Sequence, residues 1–364
     1  MFMAIERFQC PNCRADMEFD PETNGMKCSY CGTKQEVPAD KVAEVKENPL
    51  SADSLRPDPS RIKRLSELSQ EFTCNGCGAT VQFEPPQVAG NCPFCAANIV
   101  MQPKESDPLV APDAVLPFAV PKPTATTSVV DWLASRWFAP NALKAIAKPE
   151  GIRGIYLPFW TFDANSRTPY RGKRGDYYYE TITQTEMVDG RPVEREVQQR
   201  HTQWHNVQGE LSLKFNDVLV AASKSIEASR LAKLAPWELA KVKPYEPAYL
   251  SGFQSQRYQV ELTDAFASGR ASMDAKVESA ISNQIGGDEQ QIDDFQIQYS
   301  GLTFKHLLLP VWIGAYRFQG KVYQVIVNAQ TGEVQGERPY SIGKILMAIA
   351  AVIFILIWIS TRSR

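Results

Sequence analysis

The sequence predicts a multidomain fold: two small β ribbons, an α+β domain with a mainly antiparallel sheet, and one C-terminal transmembrane helix. Three observations carry this prediction: a repeated cysteine pattern near the N-terminus, alternating apolar and polar residues through the middle, and an uncharged apolar run at 345–359. The chain has 364 residues, a formal net charge of −2 and 44% hydrophobic residues, which is typical of a folded protein and not of a disordered one.

All the cysteines of the chain belong to two copies of one pattern, in which two Cys-x2-Cys pairs flank fourteen residues. Each pair can direct two thiolates at one metal ion, and two pairs complete a tetrahedral site of four sulfurs. We therefore predict two structural Zn2+ ions, one in each ribbon, while an iron site of the rubredoxin sort stays open because it uses the same paired spacing. The predicted ligands are Cys10, Cys13, Cys28, Cys31, Cys74, Cys77, Cys92 and Cys95.

The similarity between the two copies extends beyond the sulfurs. Residues 8–13 align with 72–77, and 15–21 align with 79–85, with apolar positions alternating as in a strand. Disulfides would suit a small secreted domain, but the first residues do not read as a cleavable signal peptide. We therefore expect reduced cysteines that hold metal.

The apolar run near the C-terminus predicts a membrane anchor over 342–361. Residues 345–359 alone would span about 22 Å as a helix, less than a bilayer core of about 30 Å. Including 342–344 and 360–361 brings the segment to about the required length, with Lys344 able to extend toward headgroups and Trp358 suited to the opposite interface. A buried core helix is rarely apolar on every face.

The orientation of this anchor is predicted from chemistry, not from flanking charge. Arg338 and Lys344 precede the segment, and Arg362 and Arg364 follow it, so the distribution of cations gives no preference. Reduced metal-binding thiolates belong in a reducing compartment. We expect a single-pass protein of the cell inner membrane whose N-terminal domains lie in the cytoplasm.

Composition divides the chain into segments. The predicted order is zinc ribbon 1 at 6–38, a linker at 39–69 with a short helix at 60–69, zinc ribbon 2 at 70–101, a linker at 102–112, the α+β domain at 113–340, and the transmembrane helix. Within the α+β domain, Leu-Pro-Phe-Trp at 157–160 resembles Leu-Pro-Val-Trp at 309–312, so two related halves are a further expectation.

The α+β domain alternates between strand and helix patterns. We predict strands at 115–120, 155–162, 177–215, 295–299, 305–318 and 322–328, with a hairpin turn at Asp189 and Gly190. Helices are predicted at 129–138, capped by Thr127 and Ser128, at 225–234 and at 261–285.

The chain resembles a known family. The paired ribbons, Leu-Leu-Pro-Val-Trp at 308–312, Val-Asn-Ala-Gln-Thr-Gly-Glu-Val at 327–334, and Gly-Glu-Arg-Pro-Tyr-Ser at 336–341 before the anchor are similar to the bacterial TFIIB-type zinc-ribbon membrane proteins. These are often labelled primosomal protein N′ (replication factor Y)-like, and one branch resembles the zinc-ribbon protein encoded beside phage-shock protein A and an SPFH-domain partner. The resemblance implies an envelope scaffold or adaptor, with phage-shock protein A-like and SPFH-domain proteins as partners.

Catalysis and nucleic-acid binding find little support. Helicases need a Gly-x4-Gly-Lys-Ser/Thr loop, which this sequence lacks. The first hundred residues hold ten Lys and Arg against fourteen Asp and Glu, and each four-thiolate site adds roughly −2 with its metal, so the ribbons disfavour phosphate. His201 and His205 would suit a metal only on a helix, whereas their surroundings alternate as a strand.

We therefore expect a non-enzymatic adaptor without catalytic residues, docking protein partners at the cytoplasmic membrane face. The alternative is a membrane-tethered nucleic-acid-binding zinc-ribbon protein. The cationic stretch at 61–64 could touch RNA or anionic lipid, but we expect it to be the charged face of a solvated helix.

Overall fold

The computed structural model describes residues 8–37, 45–51, 62–63, 70–74, 78–83, 89–95, 97–100, 104–105, 109–141, 151–188, 191–319 and 321–362. The α-helices of these residues are α1 (Lys122–Ser135), α2 (Ala228–Ala232), α3 (Leu262–Ile285) and α4 (Ile342–Arg362). The strands are β1 (Met17–Asp20), β2 (Gly25–Cys28), β3 (Lys34–Gln35), β4 (Asn48–Pro49), β5 (Ile62–Lys63), β6 (Gln70–Thr73), β7 (Thr80–Phe83), β8 (Ala89–Asn91), β9 (Asn98–Val100), β10 (Lys104–Glu105), β11 (Leu109–Val110), β12 (Ala114–Val115), β13 (Arg153–Val188), β14 (Arg191–Ala221), β15 (Lys243–Pro244), β16 (Gln254–Gln256), β17 (Glu289–Phe295), β18 (Gln298–Phe318), β19 (Lys321–Asn328) and β20 (Val334–Gly336).

The long strand β13 organises the main sheet. One edge of β13 pairs with β14 over 159–188, while the other edge pairs with β18 over 153–167 and with β17 over 170–175. Strand β18 continues the sheet to β19 and β20. Among the described strand pairs only β12 with β18 and β13 with β16 are parallel, so the prediction of a mainly antiparallel sheet is confirmed.

Both faces of the sheet centre are buried, because successive side chains of a strand point to opposite faces. Tyr156, Leu308 and Trp312 face one side, and this core includes α1. Ile155 and Leu309, on the other side, belong to a core with the segment around α2. A third core lies farther along β13 and β14 and is covered by α3.

Helix α3 confirms the helix predicted at 261–285. Every fourth residue along one face is buried, which gives the stripe that packs on the sheet. The buried positions are Ala265, Gly269, Met273, Val277, Ile281 and Ile285. A side chain at Gly269 would meet the fully buried ring of Phe162, since a Cβ there would lie 2.8 Å from Phe162 Cδ2.

We expect Gly269→Ala to destabilise the protein although alanine is the better helix former. Alanine would gain about 1 kcal/mol of helix propensity, but overpacking against Phe162 costs about 1–3 kcal/mol. The melting temperature of the detergent-solubilised full chain should fall, whereas the exposed Ser268→Ala should leave it nearly unchanged. A higher melting temperature for Gly269→Ala would contradict the close approach of helix and sheet.

Helix α1 begins seven residues before its predicted start. Pro121 precedes its first residue, and the early prolines suit a first turn in which backbone N–H groups have no helical partner. The predicted caps Thr127 and Ser128 lie inside the helix, where their hydroxyls donate to the carbonyls of Pro123 and Thr124 at 3.1 Å each. The capping prediction was wrong because a hydroxyl can bond the preceding turn as readily as a helix N-terminus.

The predicted helix at 60–69 is also corrected where the structure describes it. Ile62–Lys63 forms strand β5, which pairs with β11 because an extended partner is available at Leu109–Val110. The rest of that helix lies outside the described residues. Part of the same predicted linker, 45–51, contains β4 and lies along β18.

The two similar segments of the α+β domain are sheet neighbours. Leu157 pairs directly with Leu309, and Pro158 pairs with Leu308, in antiparallel register. Among the equivalent positions of the internal similarity, only Leu157 and Leu309 face each other, because the two strands run in opposite directions. The hairpin prediction is supported by the pairing of Val188 with Arg191, although the turn at Asp189 and Gly190 lies outside the described residues.

A charged cluster interrupts the regular pairing of β13. The register shifts at Asp163, whose carboxylate accepts the backbone N–H of Asp217 at 2.6 Å. Lys305 reaches Asp217 at 2.8 Å and Glu47 at 3.2 Å. Burial raises the pKa of Asp163. Burial alone would lower the pKa of Lys305, but the bond to Asp217 and the nearby carboxylates raise it.

Helix α4 matches the predicted anchor. It is long and apolar enough to cross a membrane, with a mean hydropathy of 2.7, and none of that apolar window is buried against the rest of the protein. Its 21 residues span about 31 Å, close to the thickness of a bilayer core. An apolar helix with no protein cover needs another apolar environment.

Candidate metal centres

The first cluster is built by ribbon 1, in which β1, β2 and β3 form a three-stranded antiparallel sheet. Each Cys-x2-Cys pair closes a tight turn. The Cys10 N–H donates to the Ala15 carbonyl at 2.8 Å, and the Cys28 N–H donates to the Thr33 carbonyl at 2.9 Å. The residue after each pair, Arg14 or Gly32, has positive φ, the conformation that turns the chain back after the second cysteine.

The four sulfurs of ribbon 1 have the spacing of a tetrahedral metal site. All lie within 4.8 Å of one another, and Sγ–Sγ is 3.5 Å for both Cys10 with Cys31 and Cys13 with Cys28. Metal–sulfur bonds of about 2.3 Å place the sulfurs of a tetrahedron about 3.8 Å apart. The residues therefore fit a single ion bound by four thiolates.

One ligand is supported by a neighbouring hydroxyl. The sulfur of Cys31 lies 3.1 Å from Thr33 Oγ1. The hydroxyl and then the backbone N–H of Thr33 lower the pKa of Cys31 to about 6. A lowered pKa favours the thiolate, which is the form that binds a metal.

The second cluster repeats the local geometry. Cys74, Cys92 and Cys95 lie within 4.8 Å of one another, with 3.6 Å between the sulfurs of Cys74 and Cys95. The Cys74 N–H donates to Ala79 and the Cys92 N–H to Ala97, both at 2.8 Å, as in ribbon 1. The fourth predicted ligand, Cys77, lies outside the described residues. The seven described cysteines are free of disulfides.

The two ribbons contribute to apolar cores on different faces of the main sheet. Ribbon 1 joins the core that contains Trp312, and the Phe19 N–H donates to the Ser251 carbonyl at 3.0 Å. Ribbon 2 joins the core on the other side, and its strand β7 pairs with β16. Both ribbons thus share apolar cores with the sheet domain, which sequence periodicity did not reveal.

This docking gives equivalent positions of the repeat opposite environments. Tyr30 lies between Cys28 and Cys31 and is 86% exposed, whereas Phe94, at the same place in ribbon 2, is 3% exposed. The Phe94 carbonyl also accepts a hydrogen bond from Gln324 Nε2 at 3.0 Å. Only the second of these two turns is covered by the sheet domain.

The histidines considered as a metal pair lie on a strand, as their alternating surroundings predict. His201 Nε2 lies 3.7 Å from Glu180, and His205 Nε2 lies 3.8 Å from Asp176, on successive stretches of β14. Within the described ranges, the two cysteine clusters are the groups whose ligand atoms converge as a metal requires.

Comparison with known proteins extends the similarity beyond the ribbons. The chain is 26% identical over 350 residues to the uncharacterized protein YdjG of Bacillus subtilis (strain 168), covering 94% of this chain and 92% of that protein. No family model matches the chain, and no solved structure matches it. The alignment covers too much of the chain to rest on the cysteine repeats alone.

Proposed function

We propose that the protein is a membrane-anchored, non-enzymatic adaptor that docks protein partners at the cytoplasmic face of the membrane, with two structural Zn2+ ions shaping its domain. The observation that carries the proposal is a projecting hairpin, the arm, formed by 176–188 of β13 and 191–203 of β14. Support from β17 ends where Glu289 pairs with Gly175. Thirteen further residues of β13 extend about 40 Å beyond that point.

The arm has the properties of a docking element. Side chains at 178–186 and 194–200 that the structure describes are exposed, and no other described strand pairs with the arm. A two-stranded hairpin alone is marginally stable in water, and its open edges are templates for another strand. A partner that pairs with an edge or covers a face would stabilise it.

One face of the arm carries apolar side chains. Ile182 pairs directly with Val197, and Tyr178 stacks on His201 with ring centroids 5.4 Å apart. Tyr178, Ile182 and Val197 are 37–43% exposed. Aromatic and aliphatic groups that stand clear of the domain core are the usual anchors of protein interfaces.

Zinc is proposed as the metal because closed sites of four thiolates are typical of structural Zn2+. The reduced thiolates also favour a cytoplasmic position for the ribbons. The family resemblance supports phage-shock protein A-like and SPFH-domain proteins as the partners and the envelope-stress response as the setting.

The proposal is tested by affinity capture of the full chain from solubilised membranes at native expression. We expect Ile182→Asn with Val197→Asn to lower recovery of the partner by about tenfold or more, as for loss of an interface anchor. The matched control is Thr181→Asn with Gln198→Asn, which changes the neighbouring pair on the opposite face and should retain the partner. Equal recovery of the partner with both variants would show that docking does not depend on the apolar face of the arm.

A nucleic-acid-binding role is the rival, because Tyr177, Tyr179 and Arg200 share the other face of the arm and resemble a platform for stacking bases. The arm, however, has three arginines and no lysine against six carboxylates between 176 and 203. Phosphate binding requires a cationic surface. A salt-dependent shift of labelled DNA or RNA by the full chain would favour the rival.

A further inference from the structure

The segment after α1 is tied to the first turn of the apolar helix α4. The Ser341 N–H donates to the Phe138 carbonyl at 2.8 Å. Lys344 Nζ donates to the carbonyls of Trp137 and Ala139 at 2.9 and 2.8 Å, and to Asn141 Oδ1 at 2.7 Å. All three N–H donors of the Lys344 ammonium group therefore bond to atoms of the protein. The expected contact of Lys344 with lipid headgroups is replaced by contacts that hold this segment beside the helix.

Exposed aromatic rings cluster at this junction. Trp137 is 57% exposed, Phe138 36% and Tyr340 60%, and the rings of Trp137 and Phe138 meet edge to face at 4.9 Å. In membrane proteins Trp and Tyr concentrate at the level of the headgroups, where one part of the ring is apolar and another is wet. Their position beside the start of α4 places them at that level once the helix is inserted.

Two arginines at the same junction form no ion pair with a carboxylate of the described residues. The guanidinium carbons of Arg136 and Arg338 lie 5.0 and 6.0 Å from the ring centre of Trp132, and Arg338 also lies 5.3 Å from that of Tyr340. The Nε atoms of both arginines are buried without a hydrogen-bond partner among the described residues. Each side chain as a whole is only partly buried, and the planar guanidinium suits two oxygens of a phosphate.

We propose that this junction, the foot, is a second membrane contact in which Arg136 and Arg338 bind the headgroup phosphate of an anionic phospholipid. The foot consists of Trp132, Arg136, Trp137, Phe138, Arg338 and Tyr340. Its exposed rings enter the boundary between headgroups and acyl chains. The inference rests on the proposed membrane anchoring and deepens it, because the anchor and the foot together fix the orientation of the domain relative to the membrane surface.

The test uses the full chain reconstituted in phosphatidylcholine vesicles that contain brominated phosphatidylcholine or, at equal mole fraction, brominated phosphatidylglycerol. Bromine quenches tryptophans that touch lipid. If Trp137 touches lipid, the fraction of the tryptophan fluorescence that bromine quenches should be smaller in the Trp137→Phe variant than in the wild type. The control Trp204→Phe, which removes an exposed tryptophan at the base of the arm, should retain that share.

Arginine substitutions test the phosphate. Each cation near an anionic surface contributes about 1 kcal/mol, so the anionic lipid should be enriched at Trp137 by about fivefold or more. Arg136→Gln with Arg338→Gln should abolish this preference, while Arg136→Lys with Arg338→Lys, which keeps both charges and serves as the folding control, should retain part of it.

Three outcomes would overturn the inference. If Trp137 is not quenched while flotation shows that the protein stays in the vesicles, the foot does not touch lipid although the anchor holds. If Trp137 is quenched equally by both lipids, the arginines do not select an anionic headgroup. If the protein does not float with the vesicles, the proposed anchoring fails, and the foot fails with it.

Discussion

Replacing Cys10 and Cys13 with serine is expected to halve the metal content of the protein and to unfold ribbon 1. Structural zinc sites contribute an apparent binding free energy of about 10–16 kcal/mol to small domains. The short strands of ribbon 1 cannot replace that contribution, because its sheet has only ten residues. Elemental analysis of the purified full chain measures the metal, and hydrogen exchange of residues 8–37 measures the fold.

The matched variant, Cys74→Ser with Cys77→Ser, should also remove one metal but expose the other face of the sheet. Loss of ribbon 1 uncovers Tyr249, whose ring lies 5.4 Å from that of Phe19. Loss of ribbon 2 uncovers the core around Leu231 and Leu234. Faster exchange at 247–253 in the first variant and at 226–237 in the second is therefore expected. An unchanged content of two metals in either variant would contradict the ligand assignment.

Replacing Lys305 with methionine is expected to give the largest loss of stability from a single charged residue. Methionine fills similar space but leaves Asp163, Asp217 and Glu47 without the cation that two of them contact. Removing one partner of a buried ion pair costs about 3–5 kcal/mol. The cost here should be about 2–3 kcal/mol, because Glu47 is 44% exposed and water screens its charge.

The pH dependence of this loss follows from the pKa directions. Burial alone would raise the pKa of Glu47, but its hydrogen bond with Lys305 lowers it. Its contribution is therefore present above an unfolded pKa of about 4.3 and is lost as the pH falls through the lowered folded value. The raised pKa of Lys305 keeps the lysine contribution present below about pH 10.4 and loses it as the pH rises through the folded value.

Urea unfolding of the wild type and of Lys305→Met therefore has a defined outcome. The difference between the two should be greatest near neutral pH and should narrow in acid, where the carboxylates no longer need a counter-charge. Lys241→Met is the control, because Lys241 is 65% exposed and pairs with Glu238 on the surface. A difference that persists undiminished at pH 3 would assign the loss to packing instead of charge.

Local patterns in the sequence determined the elements whose signal lies within a few neighbouring residues. The cysteine spacing predicted the ribbon 1 cluster and three members of the second, because the turns around each pair are closed by hydrogen bonds across five positions. Four-residue periodicity predicted α3, and uniform apolarity predicted α4. The caps predicted at Thr127 and Ser128 were wrong because a hydroxyl can either accept from an N–H at a helix start or donate to a carbonyl of the preceding turn.

The tertiary structure alone decided which parts of these elements are covered. Phe94 is buried and Tyr30 exposed because the sheet domain packs on one turn only, through contacts such as that of Gln324, more than two hundred residues away. The sequence of the arm likewise has the alternation of an ordinary hairpin. Only the structure shows that the neighbouring strand β17 stops at Glu289 and leaves the arm without a third strand. Periodicity in the sequence shows that one face of an element is apolar. Which segment of the protein packs on that face depends on residues distant in the chain.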